Sequence, residues 1–184
     1  MLKSNRLLLI IIPVILFYIV GCTTTPNTPS SKQLFDFNWT FHKGDIPSVN
    51  AIDFSTQKWR SIDLPHNWNM DEKLVQNKQT KGIGWYSKSF DIPSSWKHKK
   101  IAIYFDGIDK DNEVFLNGNL LDMKDSKNNT CSCDLTQHLN YRKGNKIAVR
   151  INNLQELNDT RSDDSGIYKH VWLIVTDSNL FSAR

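Results

Sequence analysis

The sequence predicts an all-β protein, a sandwich of jelly-roll type, on three observations. Apolar residues recur with period two in short runs, turn-forming residues separate those runs, and no window sustains a helical period over three turns. No internal repeat is visible.

The elements follow in chain order. Leu34 to Phe41 alternates, with Phe35, Phe37, Trp39 and Phe41 on one parity, which predicts a first strand. Arg60 to Leu64 carries Ile62 and Leu64 and stops at Pro65. Trp85 to Ile92 is rich in aromatic residues and closes at Pro93, which cannot continue a central strand. Ile101, Ile103 and Phe105 share one face of a further strand, with Ala102 and Tyr104 on the other. Asn117-Gly118 stands between Glu113–Leu116 and Asn119–Leu121. A two-residue type I′ turn needs positive φ at both central residues, which Asn and Gly tolerate, so a hairpin is expected. The middle of the chain therefore reads as an antiparallel meander. Asn145 to Asn152 alternates through Ile147, Val149 and Ile151, and Gly166 to Thr176 is rich in β-branched and aromatic residues.

The chain has 184 residues and a formal charge of +4. It opens with Lys3 and Arg6, then an apolar run from Leu7 to Val20 interrupted at Pro13, then Ile19-Val20-Gly21-Cys22. A basic start, an apolar run and a small residue before the cut describe a secretory signal, and the run is short for a membrane span. Ile19 to Cys22 resembles the lipobox of bacterial lipoproteins, which implies cleavage after residue 21 and a lipid on Cys22. A membrane-anchored lipoprotein outside the cytoplasm is the expectation. Residues 23–33 are Thr, Pro and Ser without apolar periodicity, a tether, so the folded domain is expected over 34–184. Without Lys3 and Arg6 the charge surplus is too small to argue for nucleic acid.

Seven segments then occur in order: FNWTFHKGD (37–45), LPHNWNM (64–70), GWYSKSFDIP (84–93), NEVFLNG (112–118), DLTQHL (134–139), GNKIAVRINN (144–153) and SGIYKHVWL (165–173). Their order and spacing resemble the N-terminal sugar-binding domain of glycoside hydrolase family 2, over roughly residues 35–177. That family includes β-galactosidases, β-glucuronidases and β-mannosidases. The resemblance implies a galactose-binding-domain-like jelly roll, a β-linked glycan or glycoside as partner, and no cofactor. In β-galactosidases of the family, an Asn or Asp in the Pro-x-Asn/Asp-Trp turn reaches the active site of the neighbouring barrel. A second lies seven residues before the Ser of the SGIY motif. The matching positions are Asn67 and Asn158, implied to contact sugar hydroxyls. An amide suits that task because it both donates and accepts; turn capping is the ordinary alternative for Asn. Where family members often carry an Arg-Trp-Tyr-like segment, this chain has Asp159 to Asp164 without an aromatic residue.

The resemblance also implies a retaining glycosidase mechanism, with two Glu on a barrel about 5 Å apart across the scissile bond. A barrel needs roughly 250 residues, so these 184 residues are expected to stop short of it and not to hydrolyse alone. No catalytic residue is therefore assigned here. Asp109, Asp111 and Glu113 alternate, and Asp163 and Asp164 are adjacent, but a solvated edge or at best a weak Ca²⁺ site fits them better. The five His are scattered without metal-ligand spacing.

Among the 20 aromatic residues, Trp39, Trp85 and Trp172 lie inside strand patterns and are expected in the core. Trp68, in the turn after Asn67, and Trp96, in the Ser94 to Lys99 linker, are the candidate aromatic sugar contacts. Cys131 and Cys133, two apart on one strand face, are expected as packed reduced thiols, since so short a loop fits disulfide geometry poorly. Three roles stay open at this point: the sugar-binding domain of a β-galactosidase-like enzyme, a stand-alone surface carbohydrate-binding module, and a docking subunit for a separately encoded barrel.

Overall fold

A computed structural model describes residues 31–46, 58–71, 81–126, 129–142, 144–154 and 165–177. Two antiparallel sheets face each other and a two-stranded ribbon closes one end. The strands are β1 Ser31–Leu34, β2 Trp39–Lys43, β3 Arg60–Ile62, β4 His66–Asn67, β5 Gly82–Phe90, β6 Lys99–Phe105 and β7 Asn112–Leu116. They continue with β8 Asn119–Leu120, β9 Met123–Ser126, β10 Thr130–Asp134, β11 Asn145–Asn153, β12 Gly166–Ile167 and β13 Val171–Asp177. One sheet runs β1-β13-β6-β10-β9, the other β3-β2-β5-β11-β7-β8, and β12-β4 is the ribbon. The all-β sandwich predicted from periodicity is the observed fold.

The alternation fixes what each strand buries. Ile101, Ile103 and Phe105 of β6, Val171, Leu173 and Val175 of β13, and Ile147, Val149 and Ile151 of β11 all turn inward into one apolar cluster. Each such side chain contributes about 1.5–3 kcal/mol on burial. Cys131 and Cys133 are both buried in the same cluster, on the one strand face that their spacing predicts. Asn117 and Gly118 have φ of +52° and +85°, the two positive values that a type I′ hairpin needs. Asn117 Nδ2 also donates to His138 O at 2.8 Å and to Asn145 Oδ1 at 2.9 Å, so the turn is tied to the start of β11.

Several expectations are corrected. The first alternating run is not one strand. It breaks at Asp36–Asn38, where Asn38 takes φ +60° and donates its N–H to Asp63 Oδ1 at 2.8 Å. β1 then joins one sheet and β2 the other, and Phe37, at the break, is 55% exposed. Asp36, buried at the crossing, accepts from Val171 N at 2.8 Å and His170 Nδ1 at 2.6 Å. The middle of the chain is not a meander: β5 and β6 lie in opposite sheets, and of the elements read there only β7 and β8 form a hairpin. Period-two alternation says which face of a strand is apolar and nothing about which sheet holds it. The run from Gly166 likewise divides into β12 and β13. β1 begins inside the segment read as tether, with Ser31 opposite Val175. It is an edge strand whose side chains are mostly exposed, so it carries no alternation to read.

The tryptophans divide differently as well. Trp39 is in the main core. Trp85 is buried on the outer face of its sheet, in a satellite cluster with Ile46 and Ala148, where Arg150 bridges Asp45 and Glu113. Trp172 is not a core residue: it lies half-buried on an outer face, with Nε1 donating to Asp106 Oδ2 at 2.6 Å and Lys32 Nζ 4.0 Å above its ring.

Candidate functional site: an asparagine–serine cluster at one end of the sandwich

β4 and β12 are two residues each, paired with Gly166 opposite Asn67 and Ile167 opposite His66. The chain enters β4 through a cis Leu64–Pro65 bond. Asn67 Oδ1 accepts two backbone N–H groups, from Asn69 at 3.1 Å and from Ser165 at 3.2 Å. Trp68 N donates to Ser165 O at 3.2 Å. Ser165 Oγ receives two amides, Asn69 Nδ2 at 2.7 Å and Asn153 Nδ2 from the end of β11. Among the described residues no hydrogen-bond partner reaches the buried acceptor Asn69 Oδ1. Three asparagines and one serine thus converge from β4, the helical turn after it, the end of β11 and the residue before β12.

Tyr86, His66, Arg60 and Asp71 form a polar chain that supports this ribbon from inside. Tyr86, fully buried on β5, places its hydroxyl 2.7 Å from His66 Nδ1 and 3.3 Å from His66 O. His66 Nε2 lies 2.8 Å from Arg60 Nη2 and 3.0 Å from Asp71 Oδ2, and Arg60 Nη2 donates to Asp71 Oδ2 at 2.6 Å. Burial holds the His66 imidazole below its ordinary pKa, with the Arg60 charge adding to that and Asp71 opposing it. Desolvation raises the Asp71 carboxyl, but the Arg60 hydrogen bond and His66 outweigh it, and the net direction is down. Burial pushes the Tyr86 phenol well up, so its hydroxyl keeps its proton and donates.

Asn67 is therefore at the centre of the cluster. Trp68 is not available to a sugar ring: it is 1% exposed and stacks on Phe41 at 5.6 Å between ring centroids. Its ring sits so close to Gly84 that a Cβ there would be 2.6 Å from Cζ3. Trp96 lies beyond the other end of β5, in the 3-10 turn Ser94–Trp96, and packs partly against the core. The structure does not bring it to Asn67. Asn158, Cys22, Asp163 and Asp164 lie outside the described residues. Of the alternating acids only Glu113 is on β7, where it meets Arg150 at 3.3 Å; Asp111 Oδ2 accepts from Asn152 Nδ2 at 2.7 Å. Among the described residues no three His, Cys, Asp or Glu side chains converge as metal ligands.

Asn69, Asn153, Ser165, His66 and Tyr86 were not singled out by sequence as parts of one site. His66 is inside the Pro-His-Asn-Trp turn, so its neighbour was legible, but its burial depends on Phe41 and Tyr86 from distant strands. Chemically the cluster offers amides and a hydroxyl, which exchange hydrogen bonds with a polyol without transferring a proton.

Comparison with known proteins gives the family. Residues 32–177 match the model of glycosyl hydrolases family 2, sugar binding domain. The β-galactosidase BoGH2A of Bacteroides ovatus is 32% identical over 167 residues, covering 85% of this chain and 20% of that protein. A β-glucuronidase of Bacteroides fragilis is 31% identical over 129 residues, covering 67% of this chain and 19% of that protein. Among solved structures, a glycosyl hydrolase family 2 member from Bacteroides cellulosilyticus superposes with a TM-score of 0.69 at 32% identity, over 79% of this chain and 21% of the other. A β-glucuronidase from Bacteroides uniformis gives 0.70 at 29% identity, over 80% and 18%. The chain spans about a fifth of the length of these relatives. The matched residues include both sheets, the ribbon and the asparagine–serine cluster. The chain belongs to glycosyl hydrolase family 2, as that family's sugar-binding domain.

Proposed function

We propose that this chain supplies the sugar-recognising part of a β-galactosidase-like glycoside hydrolase whose catalytic carboxyls belong to a barrel outside these 184 residues. The observation that carries the reading is the convergence of Asn67, Asn69, Asn153 and Ser165 at one end of the sandwich. Asn67 and Asn158 contact hydroxyls of the terminal sugar in this reading, and the partner is a β-linked glycoside. The test is titration of the full chain in detergent with methyl β-D-galactopyranoside and methyl β-D-glucuronide. Saturable binding to one of them is expected, and Asn67→Ala weakens it roughly tenfold, as loss of about one net hydrogen bond implies. Flat titrations with both sugars overturn the reading.

Docking onto a separately encoded barrel is a second reading. Met70 and Leu154, each more than half exposed, directly follow Asn69 and Asn153 and flank the cluster with apolar surface. A stable complex with such a barrel on gel filtration supports docking, and free monomer alone counts against it.

The amino terminus carries a further expectation. The proposed arrangement is a signal over 1–21, a lipidated Cys22 and a membrane-anchored protein outside the cytoplasm. Metabolic labelling with a fatty acid is expected to mark the wild type and not Cys22→Ala; equal labelling of both removes the anchor.

A further inference from the structure

We propose that His66 and Tyr86 are positioning residues for Asn67, clamping β4 against β12, and that protonation of His66 releases the clamp. This rests on the reading of Asn67 as a sugar contact. It gives that contact a dependence on acidity.

The argument starts from the size of the ribbon. A pair of two-residue strands does not hold itself in register. Its support is the Tyr86 hydroxyl, which meets both strands: it reaches His66 O on β4 at 3.3 Å and packs against Gly166 of β12. Gly166 packs so tightly here that a Cβ on it would clash with that hydroxyl. Arg60 Nη2 is a donor in every state and lies nearer to Nε2 than Asp71 does, so the neutral ring carries its proton on Nδ1 and leaves Nε2 an acceptor 3.0 Å from Asp71 Oδ2. Tyr86 donates to His66 O, His66 Nδ1–H donates to the Tyr86 oxygen, and the Nε2 lone pair accepts from Arg60 Nη2. Asp71 Oδ2 accepts from the same Arg60 nitrogen.

A second proton changes this. Nε2 becomes a donor, and it then stands 2.8 Å from another donor on Arg60, with only Asp71 Oδ2 left to accept from it. The groups facing His66 are Phe41 from β2, Arg60 from β3, Asp71 from the helical turn at 68–71 and Tyr86 from β5; Asp109, before β7, acts on Tyr86. One cation and one anion already pair with each other there, so a new imidazolium forces Arg60 away from the ring. Burial and Arg60 both favour the neutral ring, so the change falls below the ordinary histidine value of 6.5.

The test uses no sugar. The Asn69 and Ser165 backbone amides, which donate to Asn67 Oδ1, report the clamp in ¹⁵N-labelled full chain in detergent. In the wild type their resonances are expected to titrate with the same midpoint as the His66 ring. Their protection from hydrogen exchange, corrected for intrinsic rates, is expected to fall at least tenfold from pH 7 to below that midpoint, while Ala148 in central β11 keeps its protection. Tyr86→Phe is expected to lose the same protection already at pH 7, and His66→Gln to abolish the acid response. Asn69 and Ser165 midpoints that differ from that of the ring overturn the proposal without any variant. So does full protection in Tyr86→Phe, or an acid response that survives in His66→Gln. If the amides respond but methyl β-D-galactopyranoside does not bind, the sugar reading fails and the clamp stands. If the sugar binds and the amides do not respond, the clamp alone fails.

Discussion

Gly166→Ala is expected to destabilise the protein by roughly 2–4 kcal/mol, from backbone strain and overpacking together. Gly166 has φ of +115°, a region that L side chains rarely enter. Its added Cβ would also lie 2.7 Å from His66 O and closer still to the Tyr86 hydroxyl. Neither obstacle is a flexible side-chain end: one is backbone, and the other is the tip of a fully buried ring. Gly144→Ala is the control. Among the described residues its Cβ meets only Asp91 Oδ1, at 3.8 Å, which is ordinary contact, so a change within about 0.5 kcal/mol is expected. Urea unfolding followed by tryptophan fluorescence separates the two. Equal midpoints for Gly166→Ala and the wild type would show that the ribbon is not seated on Tyr86 as described.

Trp39→Ala is expected to cost about 3–5 kcal/mol, the range for removing a large aromatic side chain from a core. Trp39 is fully buried, its ring meets Phe35 edge-on at 5.8 Å, and its Nε1 donates to Phe35 O at 2.7 Å. That last bond matters because Phe35 lies at the crossing between the sheets. Trp39→Phe keeps most of the apolar volume and loses the bond, and is expected to cost about 1–3 kcal/mol, the penalty for a buried carbonyl left unpaired. The ordering Ala worse than Phe worse than wild type, read from unfolding midpoints at constant slope, checks both terms. A Phe variant as stable as the wild type would assign Trp39 to packing alone.

How far the sequence speaks can be seen at particular residues. The inward set Ile101, Ile103 and Phe105 follows from alternation, and the Asn117-Gly118 turn from backbone chemistry, because both are local. Sheet membership is not local. Nothing between Phe35 and Phe41 announces that the chain changes sheets; Asp36 and Asn38 do it through partners at Val171 and Asp63. β9, with its Lys-Asp-Ser, and edge strand β1 carry no apolar pattern at all. In the site, Asn67 was legible because a motif marks it. Asn69, Asn153 and Ser165 were not, because they meet through a fold that brings positions 69, 153 and 165 together. Trp68 was misread for a related reason. A turn residue is usually exposed, but this one is covered by Phe41 and Gly84, which the turn's own sequence does not contain.

The pairing of β1 with β13 has a mechanical consequence. The strands are antiparallel, so Ser31, where the chain enters, lies opposite Val175, two residues before β13 ends. A pull that separates the two chain ends therefore loads this pair as a zipper. The Ser31–Val175 contact carries the tension first and Leu34–Trp172 last, each rung yielding in turn instead of all sharing the load. β13 stays bonded to β6 along its whole length while this happens. Under tension β1 peels away alone, and the rest of the sandwich is spared.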